Sequence, residues 1–600
     1  MAETLGDLTR THYCGALRRE HVGQTVTLMG WAATRRDLGG VVFVDLRDRE
    51  GLCQVVARPE VSAEAHARAD RVRSEYVVAG VGVGAARSAD TLNPKIATGE
   101  VEVLAREIRV LAEARTPPFP IEDEVATSED IRLKYRYLDL RRPKMHHNIR
   151  LRHQATLEIR RYLDEQGFYE IETPFLTKST PEGARDYLVP SRVHHGHFYA
   201  LPQSPQIFKQ ILMVSGMDKY FQVARCFRDE DMRADRQPEF TQVDIEVSFP
   251  RVETIFDLIE PLFQRVFRLI GVEVPRPFPR LPYAEAMERY GSDKPDLRFG
   301  MPITDVTDEM RTLGLDTFPG LIAEGARARA LVLPAAGGVS GTRLRKINEE
   351  LWLGRIVPDA HASKRNLFTL KATDETLANL GKKGASEPVA RALLTKVGAA
   401  KDDVVLVGVD APGPLAMAMG ILRLEMGKEL RLIGERDYRF LWVTDFPLFE
   451  YDKGERRYVS VNHPFTAPRD EDVPLLDSDP GQVRAKAYDV VLNGTEVGGG
   501  SLRIHDSALQ AKIFTLLSMS DEEARERFGF FLEALTYGTP PHGGIALGLD
   551  RIAMILAGES SLRDVIAFPK TASATDLMAG SPSAVSEHQL RELGILVIKK

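Results

Sequence analysis

Phe227-Arg228-Asp229-Glu230-Asp231-Met232-Arg233-Ala234-Asp235-Arg236-Gln237-Pro238-Glu239-Phe240-Thr241-Gln242-Val243-Asp244 places an arginine and a glutamate two positions apart, passes through a charged loop, and then resumes strand-like alternation. On a strand, residues two apart share a face. A hairpin of this kind can offer a bidentate cation to a phosphate, a carboxylate to an amine or metal, and a ring to a base. Taken alone it reads first as a salt-bridged surface hairpin, which contributes little to stability. The rest of the chain decides between these readings.

The bounds are those of a soluble multidomain protein. The chain has 600 residues, 43% hydrophobic and 28% charged. That is too long for one core and predicts roughly three to four domains. A net charge of -7 argues against a non-specific nucleic-acid coat but leaves room for a local basic footprint. Cys14, Cys53 and Cys226 are scattered, with no Cys-x-x-Cys, so neither a disulfide frame nor a thiolate zinc site is expected. The start, Met-Ala-Glu-Thr-Leu-Gly-Asp, lacks a basic segment and an apolar core. The longest apolar run, 411–422, is interrupted by glycines and prolines and falls short of the roughly 20 residues that span a bilayer. A cytoplasmic location without a membrane partner is expected.

In chain order, 1–112 carries five short strands and one helical insert (64–74), the pattern of a small Greek-key barrel of the oligonucleotide-binding (OB) type. Residues 113–143 combine prolines, acidic residues and a basic cluster that runs on to Lys144 (Arg132, Lys134, Arg136, Arg141, Arg142, Lys144). This reads as a linker whose cations are either solvated or in contact with phosphate. Residues 144–298 begin a catalytic domain: a helix over 149–166 closed by Gly167, a strand over 168–174 stopped by proline, and the hairpin quoted above. Residues 299–430 form an α+β insertion, with helices over 304–313, 389–397 and 416–430 and strands over 328–333 and 404–409. Residues 431–600 resume the catalytic domain, include a helix over 549–557, and end in a C-terminal extension.

Two further stretches carry chemistry. No Gly-x-x-x-x-Gly-Lys-Ser/Thr loop occurs, so any nucleotide phosphates must be met by side chains. Gly494-Thr495-Glu496-Val497-Gly498-Gly499-Gly500-Ser501-Leu502-Arg503 sets a glutamate and an arginine around a triple glycine. Gly548-Leu549-Asp550-Arg551 sets an arginine at a helix start, where its fork and the helix N-terminus both favour an anion. Asp489 and Glu496 are an odd number apart and share a face only if a bulge or turn intervenes. If one does, they suit Mg²⁺, which takes one or two carboxylates plus phosphate oxygens. His194-His195-Gly196-His197 has no partner ligands at metal spacing and reads as a solvated hairpin.

Pro174, Phe227 to Glu230 and Gly548 to Arg551 resemble, in order, motifs 1, 2 and 3 of the class II aminoacyl-tRNA synthetases. With 203–210, 290–296, 496–503 and 537–542, the whole chain resembles the bacterial-type aspartyl-tRNA synthetases. The resemblance implies an α+β multidomain fold: an N-terminal OB-fold β-barrel that reads the anticodon, a class II antiparallel β-sheet catalytic domain flanked by helices, and a GAD-type insertion. It implies a ligase that uses ATP and Mg²⁺ to activate L-aspartate and charges tRNA(Asp) as a homodimer. Arg228 would bridge the α-phosphate and the substrate carboxylate, and Arg228, Glu230 and Arg551 would carry catalysis. ATP would also meet Asp229, Gln237, Phe240 (stacked on adenine), Glu496, Gly548, Leu549, Asp550 and Arg551, and Asp489 and Glu496 would hold the metal. Aspartate would meet Glu182, Ser204, Gln206, Lys209, Arg228, Asp244, Asn462, His463 and Arg503, with Lys209 and Arg503 reading its side-chain carboxylate. Arg36, Phe43, Gln54 and Glu100 would read the anticodon.

Three positions depart from that pattern. Asn462 stands where a histidine is usual, beside His463; Val56 stands where an aromatic residue often stacks a base; and Thr34 replaces an arginine. Two alternatives stay open. One is a ligase that charges both tRNA(Asp) and tRNA(Asn), for which Leu38 and the small residues 82–86 point opposite ways. The other is a non-enzymatic nucleic-acid-binding protein built on the barrel.

Overall fold

The computed structural model describes residues 2–180, 184–230, 236–335, 338–357, 366–434 and 436–598. The chain divides into two compact units, one of Met1–Gln154, Met232–Gln237 and Ala553–Ser586, the other of Ala155–Asp231, Pro238–Ile552 and Glu587–Lys600.

The first unit holds a closed five-stranded barrel, Thr25–Leu38, Val41–Asp48, Gly51–Ala57, Val101–Ala112 and Val77–Ala86 in neighbour order. Its interior is the alternating apolar set of these strands, including Val26, Leu28, Val44, Leu46, Val55 and Val103. Closure brings backbones very near: a Cβ on Gly82 would lie 2.3 Å from the Leu104 carbonyl oxygen, beside a register shift. The helix Ala63–Arg71 starts at Ser62, whose side chain accepts from the Ala65 N–H. The stretch after the barrel folds into the short helices Glu129–Lys134 and Arg136–Asp139. Part of its basic cluster is therefore neither solvated nor available to phosphate. Arg136 and Arg142 are buried and donate to Asp139 at 2.5 and 2.7 Å.

The second unit is built on an eight-stranded sheet in the order Arg280–Pro282, Phe440–Thr444, Ala487–Leu492, Thr495–Leu502, His542–Gly548, Glu239–Ser248, Lys219–Phe227 and Tyr169–Glu170. The expected antiparallel sheet is present, with parallel pairing at its two edges. The six central strands are antiparallel, but both edge strands pair in parallel, because each arrives from a helical connection rather than a hairpin. The strand expected over 168–174 is only Tyr169–Glu170. The Ile171 amide still reaches the Phe221 carbonyl, and pairing stops before Pro174, which has no N–H to give. The glycines of 498–500 and 543–544 let neighbouring strands approach: a Cβ on Gly500 would lie 2.1 Å from the Gly544 carbonyl oxygen.

The insertion is a four-stranded sheet (Thr304–Asp305, Arg327–Leu333, Val404–Asp410, Phe368–Lys371) with helices that include Glu387–Lys396 and Pro412–Glu429. The helix expected over 304–313 is shortened to Thr307–Thr312, because the Asp305 side chain accepts from the Thr307 N–H in a turn that ends the preceding strand. His194 to His197 form the exposed turn of a small hairpin between Leu188–Pro190 and Phe198–Ala200. Among the described residues no helix is long and apolar enough to cross a membrane.

Candidate active site

The strand Glu239–Ser248 sets Asp244 and Glu246 on one face, and both are fully buried. The helix Gln206–Val214 delivers Lys209, whose Nζ lies 3.1 Å from Asp244 Oδ1 and 3.5 Å from Glu246 Oε2. Arg503, just past the strand Thr495–Leu502, closes on the same carboxylate. Its Nε donates to Glu246 Oε1 at 3.0 Å and its Nη2 to Oε2 at 3.1 Å. Its Nη1 donates to His463 Nε2 and to Ser501 Oγ, each at 2.6 Å. Four of the five guanidinium N–H groups therefore have protein partners, which leaves little freedom for the fork to move. Glu246 sits where it does because Gly544 has no side chain; a Cβ there would lie 2.2 Å from Glu246 Oε2.

Two cations thus balance two carboxylates in a water-poor pocket, where an unmatched charge is costly. Burial pushes Glu246 up, but Arg503 and Lys209 outweigh it and hold the carboxyl below its ordinary range. For Asp244 burial wins over Lys209 and Arg228, so that carboxyl is raised. Burial, helped by Arg503 and Lys209, drives His463 well below the ordinary histidine value, and a neutral ring is what an acceptor for Arg503 must be. Among the described residues, the buried polar atoms without a hydrogen-bond partner include Asp244 Oδ2 and Gln206 Nε2. Ser204 sits beside them, its Oγ accepting from the Gln206 N–H.

A second set of charged groups lies along the hairpin and the glycine-rich strand. Arg228 is half-buried, its N–H bonded across the hairpin to the Pro238 carbonyl, and its guanidinium lies 5.0 Å from the Phe240 ring centroid. Asp229 faces Arg185 at 3.4 Å, and Glu230 is half-buried at the hairpin tip. The strand Ala487–Leu492 pairs with Thr495–Leu502 through a register shift that skips Val497, the irregularity that Asp489 and Glu496 require to share a face. Their carboxylates gather over Gly499, whose missing Cβ would lie 2.7 Å from Asp489 Oδ1 and 3.4 Å from Glu496 Oε1. Burial, Glu496 and Asp293 push Asp489 well above the carboxylate range, against Lys294. A divalent cation relieves that repulsion, so the donor set fits Mg²⁺. Arg551, at the start of the helix Leu549–Ala557, donates to the Glu496 carbonyl at 2.8 Å.

Other expected residues have structural duties. Leu549 is core. Asp550 is buried and accepts from the Thr241 N–H at 2.8 Å, which ties the helix start to the central strand, and Gly548 pairs with Gln242 in the same ladder. Gln237, in the first unit, spends its amide on the backbone of Lys570, accepting at 2.8 Å and donating at 3.1 Å. Asn462 is exposed, while its neighbour His463 turns inward. Glu182 lies outside the described residues. On the barrel, Arg36 pairs in register with Phe43 and lies 6.0 Å from its ring. It donates to Asp45 at 3.0 Å and to Gln54 Oε1 at 3.1 Å, and Gln54 donates to Glu102 at 2.9 Å. Glu100 pairs with Arg19 at 3.0 Å. Thr34 is bonded to Asp45, and Val56 is fully buried.

Sequence reasoning missed Glu246, Ser501 and the pair His542–Gln210, bonded at 3.0 Å. For Glu246 a signal existed: Asp244-Ile245-Glu246 places a second carboxylate on the strand face that Asp244 already occupies.

Comparison with known proteins agrees with this geometry. Residues 128–572 match the family model for class II tRNA synthetases (D, K and N), and 26–111 match that for the OB-fold nucleic acid binding domain. The chain is 53% identical to an aspartate–tRNA ligase of Geobacillus kaustophilus, covering 98% of this chain and 99% of the relative. It is 51% identical to an aspartate–tRNA(Asp/Asn) ligase of Halothermothrix orenii across the full length of both. Among solved structures, asparaginyl-tRNA synthetase from Pyrococcus horikoshii complexed with asparaginyl-adenylate shares the fold, with a TM-score of 0.58 at 17% identity over 94% of this chain and 98% of that one.

Proposed function

The chain belongs to the class II tRNA synthetases of the D, K and N group, among the aspartate–tRNA ligases, and on that premise we propose how its residues divide the reaction. An oxygen of the aspartate α-carboxylate attacks the α-phosphorus of ATP and the bond to pyrophosphate breaks, giving aspartyl-adenylate. A ribose hydroxyl at the tRNA 3′ end then attacks the acyl carbon, gives up its proton, and AMP leaves. Arg228 bridges the two reacting groups and stabilises charge developing at phosphorus. Glu230 and Phe240 hold the nucleoside, and Arg551 takes the far end of the phosphate tail. Asp489 and Glu496 would hold Mg²⁺, which supplies charge neutralisation to the phosphates.

The observation that carries the substrate assignment is the buried Lys209–Asp244–Glu246–Arg503 set with its unpaired Asp244 Oδ2. An incoming ammonium takes Asp244, and the Lys209 it displaces turns to the substrate side-chain carboxylate, which the remaining N–H of the fixed Arg503 also meets. Charge pairing is exchanged rather than lost. Asparagine supplies the ammonium but no second carboxylate, so it leaves a buried cation unmatched, a cost of at least about 1–3 kcal/mol. His463, held neutral, fixes Arg503 from the other side, while the exposed Asn462 has no part in that contact.

On the barrel we place anticodon contact at Arg36, Phe43, Gln54 and Glu100, with the half-exposed Phe43 ring as a stacking surface. Tyr169, Phe175 and Leu176 are exposed apolar residues at the sheet edge, 64%, 50% and 54% accessible, and support a homodimer through that edge. Three buried free cysteines suit a reducing cytoplasm. Relatives named for tRNA(Asp/Asn) favour a second reading in which tRNA(Asn) is also charged. Pyrophosphate exchange with aspartate and with asparagine, followed by charging of purified tRNA(Asp) and tRNA(Asn) separately, tests both. No aspartate-dependent exchange would sink the first, and no charging of tRNA(Asn) the second.

A further inference from the structure

Arg136 lies in the stretch that sequence reading treats as a linker, yet it is buried with only 2% of its surface exposed. Its Nη1 donates to Asp139, and its other donors converge on one short segment: Nε on the Ala567 carbonyl at 2.9 Å, Nη2 on the Arg563 and Ile566 carbonyls at 2.6 and 2.8 Å. Three carbonyls on one planar fork fix the segment's path as well as its position, which a point cation cannot do. The same segment is held again by Asn148, which donates to Glu559 at 2.9 Å and to the Asp564 carbonyl at 3.1 Å. Arg563 reaches Glu129 at 2.7 Å. Four residues after Ile566, the backbone of Lys570 gives both its N–H and its carbonyl to the amide of Gln237. Gln237 stands directly before the return strand of the hairpin assigned to ATP, one residue before Pro238 and three before Phe240.

We infer that Arg136 is a positioning residue for ATP. Through the 563–570 segment it fixes Gln237, and with it the stem of the hairpin that carries Arg228 and Phe240. This rests on the assignment of that hairpin to ATP. The run that follows the barrel is then a brace of that hairpin stem rather than a passive tether. The same run also holds the barrel, since Arg141 donates to Glu75 at 2.9 Å beside the buried Arg47–Glu75 pair.

The test is steady-state pyrophosphate exchange with the full-length protein. Arg136→Lys keeps the charge beside Asp139 but loses the three-carbonyl fork. Loosening a brace of this kind changes coupling by a modest factor, so the KM for ATP should rise roughly three- to tenfold while the KM for aspartate holds. In a Gln237→Ala background the same change should add nothing, because the path is already cut. Amide exchange in 563–570 should quicken in Arg136→Lys. If Arg136→Lys fails to fold, Asn148→Ala removes a lighter brace from the same segment and should give a smaller effect of the same kind. An unchanged KM for ATP, effects that multiply in the double variant, or a uniform loss of kcat alone would overturn the inference. Absence of exchange in the unmodified protein would instead refute the ATP assignment itself.

Discussion

Replacing Arg503 by leucine separates the chemistry of the aspartate pocket from the stability of the fold. The change removes four hydrogen bonds and leaves Glu246 buried with only Lys209, at 3.5 Å, for company. Removing one partner of a buried ion pair costs about 3–5 kcal/mol, because the other charge is stranded. The substrate loses a charge-assisted contact to its side-chain carboxylate, worth about 1.5–3 kcal/mol per bond. One such bond, from the fifth N–H of the fork, places aspartate-dependent exchange roughly one to two powers of ten down in kcat/KM at about 1.4 kcal/mol per tenfold. ATP binding without aspartate, measured calorimetrically, should stay within a few-fold, since Arg228, Phe240 and Arg551 do not touch Arg503. The double variant Glu246→Gln/Arg503→Leu removes the stranded carboxylate. It should regain most of the lost thermal midpoint and none of the activity. Exchange in Arg503→Leu within tenfold of normal, or ATP affinity lost in step with aspartate, would refute the assignment. So would activity returning with stability in the double variant.

Three further outcomes follow from the same geometry. Asp489 is raised, so its contribution to stability is present below the ordinary carboxylate value of about 4 and is lost as pH rises through the elevated one. Mg²⁺ binds the ionised form, so it should lift the thermal midpoint more at pH 8 than at pH 5, and Asp489→Asn should abolish that difference. His463, driven well below the ordinary histidine value, should contribute no ionisation to the pH dependence of exchange between pH 6 and 8. A histidine-like inflection in kcat/KM for aspartate that vanishes in His463→Gln would contradict the neutral ring. Arg36→Ala should raise the KM for tRNA(Asp) roughly tenfold while leaving exchange untouched; a parallel loss of exchange would remove Arg36 from the anticodon surface.

The α+β architecture, the barrel with its helical insert, and the helix Leu549–Ala557 were all legible along the chain, because period-two alternation, glycine turns and helix-start residues act locally. The chemistry-bearing residues could be recognised as types at spacings. What the linear pattern could not decide is which charges share a volume. Glu246 is one more alternating strand residue until Gly544 leaves room for its carboxylate and Lys209 and Arg503, 37 residues before it and 257 after, converge on it. The cations at 136 and 142 read as a cluster either solvated or in contact with phosphate until burial beside Asp139 makes them internal, and Asp489 and Glu496 face each other only through a bulge that periodicity does not encode. Local propensity is a property of neighbouring residues. Desolvation and Coulomb energy depend on distance in space and on the exclusion of water, so they exist only once the sheet has closed.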